Sequence, residues 1–120
     1  MEELGETVQA FLEQEDEQVN LETSQLLYYL MVAVAVSRQG SIEKSIDQFR
    51  TLRAARIELP ATLGLGFREL SESVGLAHGA CMPGSFSADV NGRVADVFLK
   101  VDNLIEITGK GSWEGILAKL

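Results

Sequence analysis

Residues Leu26 to Val36 read LLYYLMVAVAV, eleven apolar side chains in succession. A bilayer-spanning helix needs about 18 or more such residues, so no membrane span is expected. A water-facing surface rarely carries so dense a run, so it belongs inside the protein. Its β-branched content is confined to Val32, Val34 and Val36, whereas the surrounding Leu, Met, Ala and Gln favour helix. We therefore expect a helix from about Leu21 to Arg38, apolar nearly all round and central in a bundle. Arg38 suits its last turn, Gly40 its end, and Ser41 the N-cap of the next element.

The flanking segments repeat a helical period. Leu4, Val8, Phe11 and Leu12 recur within residues 3–14. Ile42, Ile46, Phe49 and Leu52 form a core stripe that Pro60 closes. Leu63, Phe67, Leu70 and Val74 form another, in which Gly64 and Gly66 either admit a close neighbour or delay the helix start. Gly75 followed by Leu76 reads as a Schellman ending, leaving AHGACMPGS (77–85) as a loop.

Residues 86–108 support two structures. Asn91-Gly92 is a hairpin signal, and Phe86, Ala88 and Val90 alternate with Ser87 and Asp89 as a half-buried strand would. A second turn at Asp102-Asn103 would, however, set Glu106 opposite Leu99 on the apolar face. Val90, Val94, Val97, Val101, Leu104 and Ile105 instead follow a helical stripe, with Phe98 beside it. Gly109 and Gly111 end the segment, and Ser112 can cap a last helix with Trp113, Ile116, Leu117 and Leu120 on one face. The expected fold is mainly α, a small antiparallel bundle of helix hairpins. The alternative is α+β with a C-terminal β-meander over residues 86-108.

Charge is unevenly distributed. The 120 residues carry 18 acidic and 10 basic side chains, a formal charge of −8. Eight of the acids lie in residues 1–22, which hold no Lys or Arg, so residues 23–120 are balanced at ten of each. The expected organisation is an acidic amphipathic arm over 1–18 and a single helical domain over 19–120. A globally basic nucleic-acid binder is excluded. The single cysteine, Cys81, cannot form an intramolecular disulfide, and no basic region precedes an apolar stretch as in a secretory signal. A cytoplasmic location is the expectation.

Several constellations bear on function. In the arm, Leu4, Val8 and Phe11 lie among acids that continue as Glu13, Glu15, Asp16 and Glu17. This is either a docking element steered by charge or a solvated helix, and the apolar stripe speaks for docking. Arg50, Arg53 and Arg56, with Lys44 before them, can take phosphate or carboxylate, or form an exposed face balanced by Glu43 and Asp47. The arm of the same chain or of a neighbouring copy is their nearest acidic candidate.

Catalytic and metal motifs are weak. His78 and Cys81 stand as H-x-x-C, but a structural zinc site needs four ligands and the chain has no other His or Cys. Gly64-Leu65-Gly66 and Gly109-Lys110-Gly111-Ser112 both fail the phosphate-loop patterns, and Gly92 is misplaced for a calcium loop near Asp89, Asn91 and Asp96. We expect neither an enzyme nor a metal or other cofactor.

Two family resemblances complete the picture. Phe67 to Leu76, FRELSESVGL, resembles the first helix and turn of repressor-type helix-turn-helix domains. The segment that should then read DNA, AHGACMPG, offers no Arg or Lys. Tyr29 to Phe49, with Gln39-Gly40 at the turn, resembles one tetratricopeptide helix hairpin. That resemblance implies paired amphipathic helices that bind a peptide or helix in a groove.

The expected function is non-enzymatic protein binding, as an adaptor, chaperone, immunity-like inhibitor or small assembly subunit. Another protein or a second copy of the chain would be the partner, with Leu4, Val8, Phe11 or Trp113 as apolar anchors. The alternative is a nucleic-acid-linked regulator whose arginines are masked by the arm.

Overall fold

A computed structural model of the chain describes residues 2–84 and 89–120. It contains six helices: α1 (Glu2–Glu13), α2 (Asp16–Ser37), α3 (Ile42–Ala54), α4 (Leu63–Cys81), α5 (Val90–Thr108) and α6 (Trp113–Lys119). No strand occurs among the described residues, so the fold is mainly α. The β-meander alternative is overturned for residues 90–108. Phe86, Ser87 and Ala88, its proposed first strand, lie outside the described residues.

The hairpin signal is taken up by a helix start. Asp89 Oδ1 accepts a hydrogen bond from Gly92 N at 2.9 Å, an N-cap that turns Asn91-Gly92 into the first turn of α5. The β-branched stripe is then held helical by burial on both sides, which outweighs intrinsic strand preference. Val90, Val94, Ala95, Val97, Phe98, Leu99, Val101 and Leu104 are all buried. The centre of the bundle is therefore α5, and not α2 as the apolar run suggests. It packs on α4 and α3, while α2 is covered by α1, α6 and α4.

By length and composition α2 is apolar enough to cross a membrane. In the fold, Val19, Leu26, Leu27, Leu30 and Val34 enter the core. Its opposite side stays open.

Sequence neighbours pair less regularly than expected. α1 with α2 and α4 with α5 form antiparallel hairpins. The α2–α3 segment that resembles a tetratricopeptide unit does not pair in this way, because α3 packs on α5. Ser41 meets Asn91, Phe49 meets Phe98 and Arg53 meets Asp102. That constant offset means α3 runs parallel to α5.

The α2–α3 turn fixes the arrangement. Arg38 ends α2 in the left-handed region (φ 57°), and Ser41 Oγ caps α3 by accepting from Lys44 N at 3.1 Å. Ser41 N donates to Asn91 Oδ1 at 2.8 Å. A Cβ on Gly40 would stand 2.7 Å from Asn91 Oδ1 and 2.8 Å from Val90 Cγ1. Both neighbours are fixed, Val90 by its stiff branched side chain and Asn91 by its hydrogen bond.

We expect Gly40→Ala to destabilise by about 1–3 kcal/mol, as overpacking does. Gly64→Ala, where a Cβ meets nothing within 4 Å, serves as the control and should be neutral or stabilising. Urea midpoints check this pair; equal midpoints for the Gly40 variant and the native chain would remove the close-approach argument.

α4 also departs from expectation. It runs through Gly75 to Cys81 without a Schellman turn, so the helix-turn-helix resemblance has no turn to rest on. Leu70, Ser73, Val74, Ala77 and Ala80 keep one buried face across that point, and this packing overrides the local glycine signal. Gly66 does admit a close neighbour, since its Cβ would lie 2.9 Å from Leu104 Cδ2. Between α4 and α5, Ser73 Oγ donates to Asp96 Oδ2 at 2.7 Å, and Lys100 Nζ lies 3.8 Å from Glu69 Oε2. These polar contacts fix the register of the two helices.

Candidate functional site

The arm lies on its own chain. Phe11 is 1% exposed, Thr7 and Ala10 are buried, and Leu4 packs half-buried against the same core. Val8 is half-buried too. Thr7 Oγ1 sits 3.0 Å from Glu22 O across the hairpin, and Lys110 Nζ donates to Phe11 O at 3.1 Å at the end of α1. Phe11, expected as a partner anchor, is thus a core residue. The apolar stripe of the arm is covered in part by its own chain, with Leu12 left exposed.

The acids that follow are exposed, and two of them face the C-terminal segment. Asp16 Oδ1 accepts from Gly111 N at 3.1 Å, and Glu17 Oε1 is 2.7 Å from Lys119 Nζ. The Lys119 hydrogen bond and charge hold the Glu17 carboxyl below its ordinary range. Glu13 and Glu15 are exposed.

The arginines look elsewhere. Arg50 pairs with Asp47 at 3.8 Å and Arg53 with Asp102 at 3.4 Å, while Arg56 ends the α3 segment at φ 51°. No ion pair among the described residues joins them to the arm of the same chain, whereas the Arg50–Asp47 pair fits an exposed face with balanced charge. The cleft of about 700 Å³ beside Arg53, Arg56 and Trp113 also holds Asp102 and Glu106. Its charges are balanced, which gives an anionic ligand little preference for it.

Trp113 is half-buried, with its Nε1 donating to Asp102 Oδ1 at 2.8 Å and its ring 5.6 Å from Phe49 and 6.2 Å from Phe98. It is a packing residue that leaves one edge to solvent.

His78 and Cys81 sit on the last turns of α4. His78 Nδ1 is 2.9 Å from Tyr29 Oη, and the two rings stack at 5.8 Å. Burial pushes the Cys81 thiol up, against a weaker opposing hydrogen bond with Ser37. That is the reverse of what an activated nucleophile needs. No group of three or more potential metal ligands occurs among the described residues.

What the sequence does not point to is the open side of α2. Tyr28, Val32 and Val36 are 60%, 45% and 76% exposed. They fall at i, i+4 and i+8, one face of a helix over about 12 Å. α1, about 18 Å long against about 33 Å for α2, flanks only part of that face.

Between them is a groove of about 610 Å³. Tyr28, Tyr29 and Val32 line it from α2, Glu2, Glu3 and Glu6 from α1, and Lys119 and Leu120 from the C-terminal segment. The apolar run conceals this stripe, because continuous hydrophobicity hides which face lacks a neighbour. Tyr28 is the one hint, since a tyrosine keeps its hydroxyl near water more readily than Leu or Val would.

The Glu6 carboxyl is held above its ordinary range. The main cause is a hydrogen bond shared with the Glu22 side chain, followed by partial loss of hydration and repulsion from Glu22 and Glu3. The acidic wall is therefore crowded with like charge. Comparison with known proteins finds no matching family model, no matching curated protein and no matching solved structure.

Proposed function

We propose that the protein is a non-enzymatic protein-binding module whose docking surface is the open face of α2. One observation carries the proposal: the helix that holds the unbroken apolar run of residues 26–36 presents Tyr28, Val32 and Val36 to solvent on a single face. Apolar rows of this kind are a usual signature of an interaction surface. The acids of α1 beside it would orient a partner and speed its arrival. An adaptor, a chaperone, an immunity-like inhibitor and a small assembly subunit all work in this way, in the cytoplasm or elsewhere.

The test is site-specific photocrosslinking in the native cell, with the crosslinker at position 32 and a control at the exposed Glu72 of α4. Discrete protein adducts from position 32, absent from position 72, are expected. Adducts from neither position, or the same adducts from both, would remove the docking surface.

A further inference from the structure

We infer that the occupant of the α1–α2 groove is a cationic amphipathic helix of a partner protein, an inference that rests on the docking surface proposed above. The charge argument comes first. Neither α1 nor α2 contains a Lys or Arg, the first in the chain being Arg38. Glu2, Glu3 and Glu6 line the groove, and the one cation that lines it, Lys119, is paired with Glu17 at 2.7 Å. A partner that brings positive charge supplies what the wall lacks.

The shape argument selects a helix. Tyr28 and Val32 stand one turn apart on the groove floor, and Val36 extends the row by another turn. Such a row of knobs seats the ridge of a second helix at ordinary helix-packing distances. An extended peptide would want a free strand edge, and the described residues contain no strand.

Two other occupants fit less well. The basic helix of the chain itself, α3, turns Phe49 inward, pairs Arg53 with Asp102 and interleaves exposed Lys44 and Arg50 with exposed Glu43 and Asp47, so a second copy offers a ridge of mixed charge there and not a cationic one. An anionic membrane would be repelled by the acidic wall and by the net charge of −8.

The probe is a labelled synthetic helix of about 15 residues, with Leu at helical spacing and Lys or Arg between, long enough to hold helical structure when bound. It is titrated into the full chain by fluorescence anisotropy at low and moderate salt. Saturable binding is expected. Val32→Asp should weaken it more than about tenfold, since a charge would be buried under the ridge. The triple change Glu2→Gln, Glu3→Gln, Glu6→Gln should weaken it about tenfold at low salt and far less at moderate salt. Both sets of positions are wholly or partly solvent-facing, and circular dichroism verifies that the helices persist.

The inference is overturned if the peptide does not bind, or if a scrambled peptide of the same composition binds equally. Undiminished binding to Val32→Asp overturns it as well. A dimer dissolved by Val32→Asp, or retention on anionic vesicles in place of peptide binding, would assign the face to those occupants instead. Peptide failure with crosslinking from position 32 intact overturns this inference alone; failure of both removes the docking surface too.

Discussion

Phe11→Ala is expected to lower the free energy of unfolding by about 3–4 kcal/mol, the range for deleting a buried aromatic ring. Phe11 is 1% exposed, so the truncation leaves a cavity between α1 and the body that solvent-exposed neighbours cannot fill. Domains of this size have about 5–15 kcal/mol in total, so the loss is a large fraction. Urea denaturation followed by far-ultraviolet circular dichroism measures it, with Leu12→Ala, 52% exposed, as the control expected to change little.

An arm that floats free until it meets a partner predicts the opposite, an unchanged midpoint for Phe11→Ala, and that result would sink the packed arrangement. The practical corollary concerns truncation. Deleting residues 1–18 would remove a piece of the core along with the acids, so the role of charge is better tested by carboxylate-to-amide changes at Glu2, Glu3 and Glu6.

The second large effect belongs to Trp113. Its ring joins Phe49 and Phe98 in an aromatic cluster with centroid separations of 5.6–6.2 Å, and its Nε1 donates to Asp102. Trp113→Ala removes the ring contacts and the hydrogen bond together, at a cost of about 2–3 kcal/mol for a half-buried site. Trp113→Phe should recover most of the packing and leave a deficit of about 1 kcal/mol from the lost hydrogen bond. Trp113 is the only tryptophan, so both variants must be followed by circular dichroism rather than by intrinsic fluorescence. If Trp113→Ala were as stable as the native chain, the cluster would contribute nothing to the seating of α6.

Periodicity and cap chemistry carried much of the architecture. Ser41 and Ser112 cap the helices they precede, accepting from Lys44 N and Gly115 N. Val90, Val94, Val97, Val101 and Leu104 form the buried stripe of α5. Where the residues misled, a local signal was outvoted by packing. Gly75 reads as a helix end when seen alone, yet Ser73, Val74, Ala77 and Ala80 need an unbroken helix against α5.

The choice of the central helix was illegible for a related reason. Hydrophobic content shows how much of a helix wants burial, whereas its neighbours decide how much receives it. α2 has the denser apolar run, and α5 has the neighbours on both sides. The candidate site was hidden by the same effect, since its floor is the part of that run left without a neighbour. Only its charge, the acids of the first helix, could be seen in advance.

The contacts between the first two helices and the last segment have a consequence for synthesis. Lys110 with Phe11, Asp16 with Gly111, Asn20 with Ser112 and Glu17 with Lys119 join residues 92 to 102 positions apart. Ile116, fully buried, and Gly111, close against Val19, finish the cover over the start of α2. Because the ribosome delivers the chain from its N-terminus, that apolar surface waits uncovered until residues 110–119 have emerged. Until then the nascent chain carries an unfinished core over the start of α2.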